Sequence, residues 1–189
     1  MKKKIADGMR RFGEDLVWAF VVAMLLRATF GYFFGTPIPF VAVMSGSMEH
    51  DATAQYNYYS WMTSRGYTIE ELENFPFPDG FNKGDALIIV RADDISVGDV
   101  LVYVNPELGY PIIHRVINIT DEGYVTKGDH NPVQDPWIVK PEWVKGKAVV
   151  MAPVIGWVSV LPKEVIYRAL HLGPMLYGNH YKSNAVGQG

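Results

Sequence analysis

The chain has 189 residues, a formal net charge of -3 and no cysteine. Without cysteine there are no disulfides, iron–sulfur clusters, thiolate zinc sites or cysteine nucleophiles, and the slightly acidic balance argues against general nucleic-acid binding. A composition that is 49% hydrophobic accommodates one domain with a substantial core plus a membrane anchor.

The start of the chain is basic and then apolar. Residues 16–34 are apolar apart from Arg27 and Thr29, and their number is close to the roughly 20 residues that a membrane helix needs. Residues 1–15 carry a basic cluster: Lys2, Lys3, Lys4, Arg10 and Arg11. Because positive residues stay on the cytoplasmic side, we predict a single-pass anchor with a cytoplasmic N-terminus and with membrane lipids around it.

Two alternatives for this segment are a cleaved signal peptide and a helix buried in a soluble domain. A signal peptide is disfavoured because the apolar run continues past Arg27 without a small-residue cleavage site. A buried helix of a soluble domain is disfavoured because the segment has no polar face.

Residues 35–161 are predicted to form an extracytoplasmic, mainly β domain, a small β-barrel or sandwich, because short apolar runs alternate with Gly, Asp, Asn and Pro turns. Within it, residues 51–82 are predicted to be a partly helical insertion, since Thr68 followed by Glu71 resembles a capping box. Residues 162–189 are predicted to be a C-terminal helix and a polar tail. The candidate strands are residues 86–90, 100–104, 112–119, 124–126 and 148–150.

Three polar features stand out from this pattern. Ser47 lies in the turn Ser45-Gly46-Ser47-Met48-Glu49, His114 lies in an apolar run, and Asp129 and Asp135 lie in an acidic turn. A serine hydroxyl needs a neighbouring base to become a nucleophile, and a carboxylate on the far nitrogen of a histidine orients that base. The set therefore indicates a serine hydrolase that needs no metal or cofactor, with either aspartate able to reach the imidazole.

These motifs resemble type I signal peptidases, the membrane-anchored serine proteases that cut signal peptides from exported proteins. The similarity covers the Ser47 turn (residues 45–49), His114, the acidic turn (residues 127–135) and strand segments at 84–90, 98–103, 146–148 and 156–158. Bacterial enzymes usually carry lysine where this chain has His114. The chain is in this respect similar to the archaeal and endoplasmic-reticulum branch.

The resemblance implies a role for each site residue. Ser47 would be the nucleophile, His114 the general base and Asp135 its orienting partner, with Asp129 as the second candidate. The Ser47 N–H and the Ser45 hydroxyl would bind the oxyanion, beside Met48 of the same motif. The implied substrates are precursors with signal peptides, cut at the cell membrane, and accessory subunits are compatible with this function.

Two departures from the family pattern and two other hypotheses stay open. His50 stands where the family usually has proline, so it competes as a base, and residues 51–82 are longer than usual. That insertion would cover the cleft, touch the membrane or bind a partner. One other hypothesis is a membrane-tethered β domain that binds a partner without chemistry. The other is a metal site of His50, His114 and His130 with aspartates, whose spacing matches no common zinc pattern.

Overall fold

The computed structural model describes residues 2–162. Helix α1 (Lys2–Phe34) comes first, and its part Gly8–Phe34 is long and apolar enough to cross a membrane. Large apolar side chains such as Leu16, Trp18 and Phe20 are more than half exposed along it. The predicted span of residues 16–34 lies within this helix, which extends further toward the N-terminus.

Seven strands form one antiparallel sheet in the order β1-β2-β7-β3-β4-β5-β6. The mainly β fold with an N-terminal apolar helix is therefore confirmed. All five predicted strands are present, and the structure adds a short β1 and the two-residue β6, which the sequence pattern does not predict as a strand. The strands are β1 (Phe40–Ala42), β2 (Ala86–Val90), β3 (Val100–Val104), β4 (Pro111–Thr120), β5 (Gly123–Lys127), β6 (Ile138–Val139) and β7 (Val144–Ala152).

Strand β3 carries core residues on both of its faces. Side chains alternate across a strand, so Val100 and Val102 pack in one apolar cluster with Leu87, while Leu101 and Tyr103 pack in another. These four β3 residues have no exposed surface. Both faces of the sheet are thus covered, which explains the continuous apolar run of β3.

The insertion (residues 51–82) is partly helical, as predicted. It contains α2 (Ala52–Gln55), a π-helix (Tyr56–Ser60), α3 (Trp61–Thr63) and α4 (Ile69–Glu73). The capping box at the start of α4 is confirmed, because Thr68 Oγ1 accepts from the Glu71 N–H and the Glu71 carboxylate accepts from the Thr68 N–H at 2.7 Å. Tyr58, Met62 and Leu72 of the insertion form a buried cluster with Ile117 of β4.

Helix α1 ends beside the strand that leads to the Ser47 turn. Phe40 at the start of β1 contacts Phe30 and Phe34 of α1 in edge-to-face geometry, with ring centroids 5.4 and 5.8 Å apart. Such aromatic pairs add to the burial energy. The end of the apolar helix and the first strand of the sheet are therefore held together.

The strand expected at residues 156–158 is wrong. The chain is helical from residue 157 to 162 because it turns sharply after β7: Val154 has a φ of 66° and its N–H donates to Asp85 Oδ1 at 3.0 Å. Trp157 then packs onto Gly84, where a Cβ would lie 2.0 Å from the indole nitrogen. The predicted helix at 163–172 and the polar tail lie outside the described residues.

Substituting Thr68→Ala tests the capping box. The change removes the hydroxyl that accepts from Glu71, and we expect it to lower the free energy of unfolding by about 1 kcal/mol. Urea unfolding of the detergent-solubilised chain, followed by tryptophan fluorescence, measures this. The control is Thr53→Ala, an exposed insertion threonine bonded through its backbone. An equal loss in both variants would contradict the cap.

Candidate active site

The Ser47 turn follows directly from β1 and is closed by a hydrogen bond from the Glu49 N–H to the Gly46 carbonyl at 3.1 Å. Ser47 is half-buried, and its carbonyl accepts from the His130 N–H at 2.9 Å. Its hydroxyl lies 3.2 Å from the Ser45 hydroxyl. Within residues 2–162 no acceptor is bonded to the Ser47 N–H, which leaves this donor available.

His114 and Asp135 form a buried hydrogen-bonded pair. His114 Nδ1 lies 2.7 Å from Asp135 Oδ2, and because a carboxylate only accepts, Nδ1 carries the proton of this bond and Nε2 is the ring nitrogen that does not contact Asp135. The same oxygen accepts from the Tyr103 hydroxyl at 2.9 Å and the Thr126 hydroxyl at 2.5 Å. The imidazole is therefore oriented by a carboxylate that two further hydrogen bonds hold in place.

The Asp135 carboxyl stays ionised despite its burial. Burial by itself raises its pKa, but the charge of His114 and the hydrogen bonds from His114, Thr126 and Tyr103 outweigh that effect. The net result is a pKa below the usual range for this carboxyl. An ionised partner stabilises the imidazolium that forms when His114 accepts a proton.

Gly128 shows that His114 and Ser47 are neighbours. A Cβ on Gly128 would lie 2.9 Å from His114 Nε2 and 2.7 Å from the Ser47 carbonyl oxygen. Both atoms therefore lie against the same side of Gly128. Only glycine leaves this space open. Ser47 and His114 also line one cleft of about 760 Å³, which they share with Ser45 and β1.

The Ser47 hydroxyl is hydrogen-bonded to Ser45 and, among the residues described, not to His114. Catalytic hydrogen bonds are often long in the absence of substrate and tighten in the reacting complex. The structure thus brings the serine, the histidine and Asp135 to one cleft.

Asp129, the other candidate partner of His114, has different contacts. Its carboxylate accepts from Arg115 Nη2 at 2.7 Å and from His50 Nε2 at 2.9 Å. Burial raises its pKa, but Arg115 and His50 more than offset this, and the pKa lies below the usual range. Because the His50 ring is bonded to Asp129 and packs on Tyr58 at 5.0 Å between centroids, its contacts are structural.

Met48 is a core residue. It is 1% exposed, and its sulfur accepts from the Asp129 N–H at 3.5 Å. A thioether has no donor, so the Met48 side chain cannot bind an oxyanion by hydrogen bonding. The structure places it as the contact that fixes the Ser47 turn against the acidic turn.

Two buried cations near the site were not selected from the sequence. Arg115 has no exposed surface, and besides Asp129 its guanidinium reaches the carbonyls of Pro76, Phe77 and Gly98. Lys127 is 2% exposed, and burial lowers its pKa to about 8. The sequence feature that could have identified Arg115 is a charged residue within the apolar run that forms β4.

Metal ligands were also considered at this site. Across residues 2–162, no group of three or more His, Asp or Glu side chains is arranged to hold a metal ion. His50 and His114 bind separate aspartates. The three histidines of the metal hypothesis therefore do not converge in the part of the chain that is described.

A buried His–Asp pair and a half-buried serine that line one cleft resemble the side-chain set of serine hydrolases. No protein-family model matches the chain. The human signal peptidase complex catalytic subunit SEC11C is 29% identical over 144 residues, which cover 69% of this chain and 60% of the relative.

Two yeast relatives cover more of the chain. The signal peptidase complex catalytic subunit SEC11 of Komagataella phaffii is 27% identical over 183 residues, with 84% of this chain and 90% of the relative covered. SEC11 of Scheffersomyces stipitis is 26% identical over 166 residues, covering 81% and 82%. These homologues confirm the resemblance to the endoplasmic-reticulum-like branch of type I signal peptidases. The match spans about three fifths of the mammalian relative's length.

The low carboxyl pKa values predict a loss of stability in acid. A carboxyl whose pKa is lower in the folded than in the unfolded chain stabilises the folded state at pH values above its unfolded pKa, which is near 3.8. That stabilisation is lost as the pH falls through the pKa of the folded state. We expect the free energy of unfolding to decrease as the pH is lowered below about 4. Urea unfolding at a series of pH values between about 6 and about 2 measures this free energy.

Asp129→Asn is the informative variant for this measurement. The substitution removes one of the two carboxyls whose pKa is lowered. It also leaves Arg115 buried without its ion partner, and such a loss typically lowers the free energy of unfolding by about 3–5 kcal/mol. Its pH dependence should be shallower than that of the parent. The control is Asp93→Asn, whose side chain is 72% exposed. Equal pH dependence in the parent and Asp129→Asn would contradict the assignment.

Proposed function

We propose that this chain is a membrane-anchored serine endopeptidase that removes signal peptides from exported precursor proteins. The observation that carries the proposal is the 2.7 Å bond between His114 Nδ1 and Asp135 Oδ2. The other ring nitrogen, Nε2, lies against Gly128, as does the Ser47 carbonyl oxygen. The homology to signal peptidase catalytic subunits supports the substrate class.

The reaction proceeds through an acyl-enzyme. His114 Nε2 takes the Ser47 proton as Oγ attacks the scissile carbonyl, and the imidazolium then protonates the departing amine as the C–N bond breaks. His114 next removes a proton from water, which attacks the ester, and Ser47 regains its proton on release of the new carboxyl terminus. Asp135 stabilises the imidazolium in both halves.

The developing oxyanion needs preorganised donors. The unpaired Ser47 N–H is one, and the Ser45 hydroxyl, 3.2 Å from the nucleophile, is the second. Both belong to the Ser47 turn, so a single rigid turn supplies nucleophile and donors. Loss of one such donor typically costs about 10²–10³ in turnover.

The edge of β1 is the binding position for an extended substrate. β1 is the outermost strand and pairs with β2 on one side, and Phe40, Val41 and Ala42 line the cleft with Ser47. An extended peptide gains main-chain hydrogen bonds by adding to such an edge. By resemblance, small side chains occupy the first and third positions before the cut.

Helix α1 anchors this site at the cell membrane. The basic start of the chain keeps the N-terminus in the cytoplasm, which leaves the catalytic domain outside. Confinement to one surface raises the effective concentration of a membrane-bound precursor. The relatives are named as subunits of a complex, and accessory subunits for this chain belong to the same proposal.

Cleavage of a membrane-inserted precursor by Ser47→Ala and His114→Ala tests the function. Both variants should lose turnover by a factor on the order of 10⁶, because the nucleophile and base act as a unit. Ser159→Ala, another serine of the cleft, is the control and should cut normally. If both variants cut as fast as the parent, Ser47 and His114 do not carry the reaction and the serine–histidine assignment is wrong.

The partner of His114 is tested separately with Asp135→Asn. The amide cannot stabilise the imidazolium and favours the wrong tautomer, so turnover should fall by a factor on the order of 10⁴. Steady-state kinetics on the same precursor measures this. Asp99→Asn, which changes a carboxylate bonded to Lys147, should leave turnover unchanged. Normal cleavage by Asp135→Asn would refute the His–Asp assignment.

A further inference from the structure

The insertion is joined to Ser47 through one intervening residue. Asn57, in the π-helix, donates its side-chain amide to the His130 carbonyl at 2.7 Å. The N–H of the same His130 donates to the Ser47 carbonyl at 2.9 Å. Both polar groups of the His130 backbone are therefore used in this connection, so two consecutive hydrogen bonds link Asn57 to the Ser47 turn.

Lys127 makes a second connection to the same insertion residue. Its Nζ donates to the Asn57 carbonyl at 3.1 Å, and also to the carbonyls of Gly128 at 3.1 Å and Asp129 at 3.3 Å. A buried ammonium is stable only when its donors are satisfied, so this geometry is strongly specified. Gly128 is the residue against His114 Nε2.

Both ends of the insertion are bonded to the same buried ion pair, Arg115 and Asp129. His50, the residue that precedes the insertion, is bonded to Asp129 at 2.9 Å. At its far end, the Pro76 and Phe77 carbonyls accept from Arg115 at 2.6 and 2.9 Å. The segment between is thus held at both ends while Asn57 contacts the acidic turn, so its position is well defined.

We propose that Asn57 is a positioning residue through which the insertion holds Ser47 in register with His114. The inference rests on the proposed function and gives a purpose to residues 51–82. Asn57 itself does not line the cleft with Ser47 and His114, so it acts through His130. A π-helix is rare and frequently marks functional sites, and here it presents the side-chain NH2 group and the main-chain carbonyl of Asn57 to the acidic turn.

Asn57→Ala removes the amide donor and keeps the main-chain carbonyl that accepts from Lys127. A misplacement of the nucleophile by about 1 Å costs on the order of 10² in rate. We expect kcat on a membrane-inserted precursor to fall about tenfold to hundredfold, with KM within about twofold, since the contact is remote from the substrate. The rate at which a fluorophosphonate probe labels Ser47 should fall in parallel.

Asn74→Ala is the matched control. Its side-chain amide donates to the Glu70 carbonyl at 2.8 Å, a bond of the same type that stays within the insertion. It should leave kcat and the labelling rate within about twofold of the parent. Asn57→Asp is a second variant that keeps the shape of the side chain and replaces the donor with a carboxylate beside the His130 carbonyl. It should lose at least as much activity as Asn57→Ala while its unfolding midpoint in urea stays close to that of Asn74→Ala.

The outcomes separate this inference from the proposed function. If the parent cleaves and requires Ser47, while Asn57→Ala or Asn57→Asp retains full kcat, the positioning role is rejected and the function stands. Equal losses in the Asn57 and Asn74 variants also reject it, because the effect is then general stability. A parent that neither cleaves nor labels at Ser47 rejects both.

Discussion

The buried ion pair between Arg115 and Asp129 is the interaction on which the rest of the site depends. Arg115 has no exposed surface, and its guanidinium satisfies Asp129 together with the carbonyls of Pro76, Phe77 and Gly98. Breaking such a pair leaves an uncompensated charge, which is strongly destabilising. The sheet, the insertion and the acidic turn are therefore fixed to one another at a single point.

Strand β4 then divides its two polar residues between separate tasks. Neighbouring side chains of a strand point to opposite faces, so His114 faces the cleft and Arg115 faces the insertion. His114 is bonded to Asp135 and Arg115 is bonded to Asp129, both in the acidic turn. The turn is consequently held from both sides of the sheet, and its Gly128 is kept close enough to Ser47 and His114 to exclude any side chain.

The location of this cluster relative to α1 supports the proposed role at a membrane. The aromatic contacts of Phe40 hold the end of the apolar helix against β1, and β1 leads directly to the Ser47 turn. A segment emerging from a bilayer beside α1 would meet the outer edge of β1 and then Ser47. Burial of both faces of β3 supplies the rigid base that such a site requires.

Local patterns in the sequence were sufficient for α1, for five strands and for the capping box at Thr68, since each depends on residues close together along the chain. They also indicated Ser47, His114 and two candidate aspartates, because few side-chain types perform this chemistry. Only the tertiary structure separated Asp135 from Asp129 and brought Lys127 and Asn57 together, because contacts between residues far apart in sequence depend on strand register and on how the insertion packs.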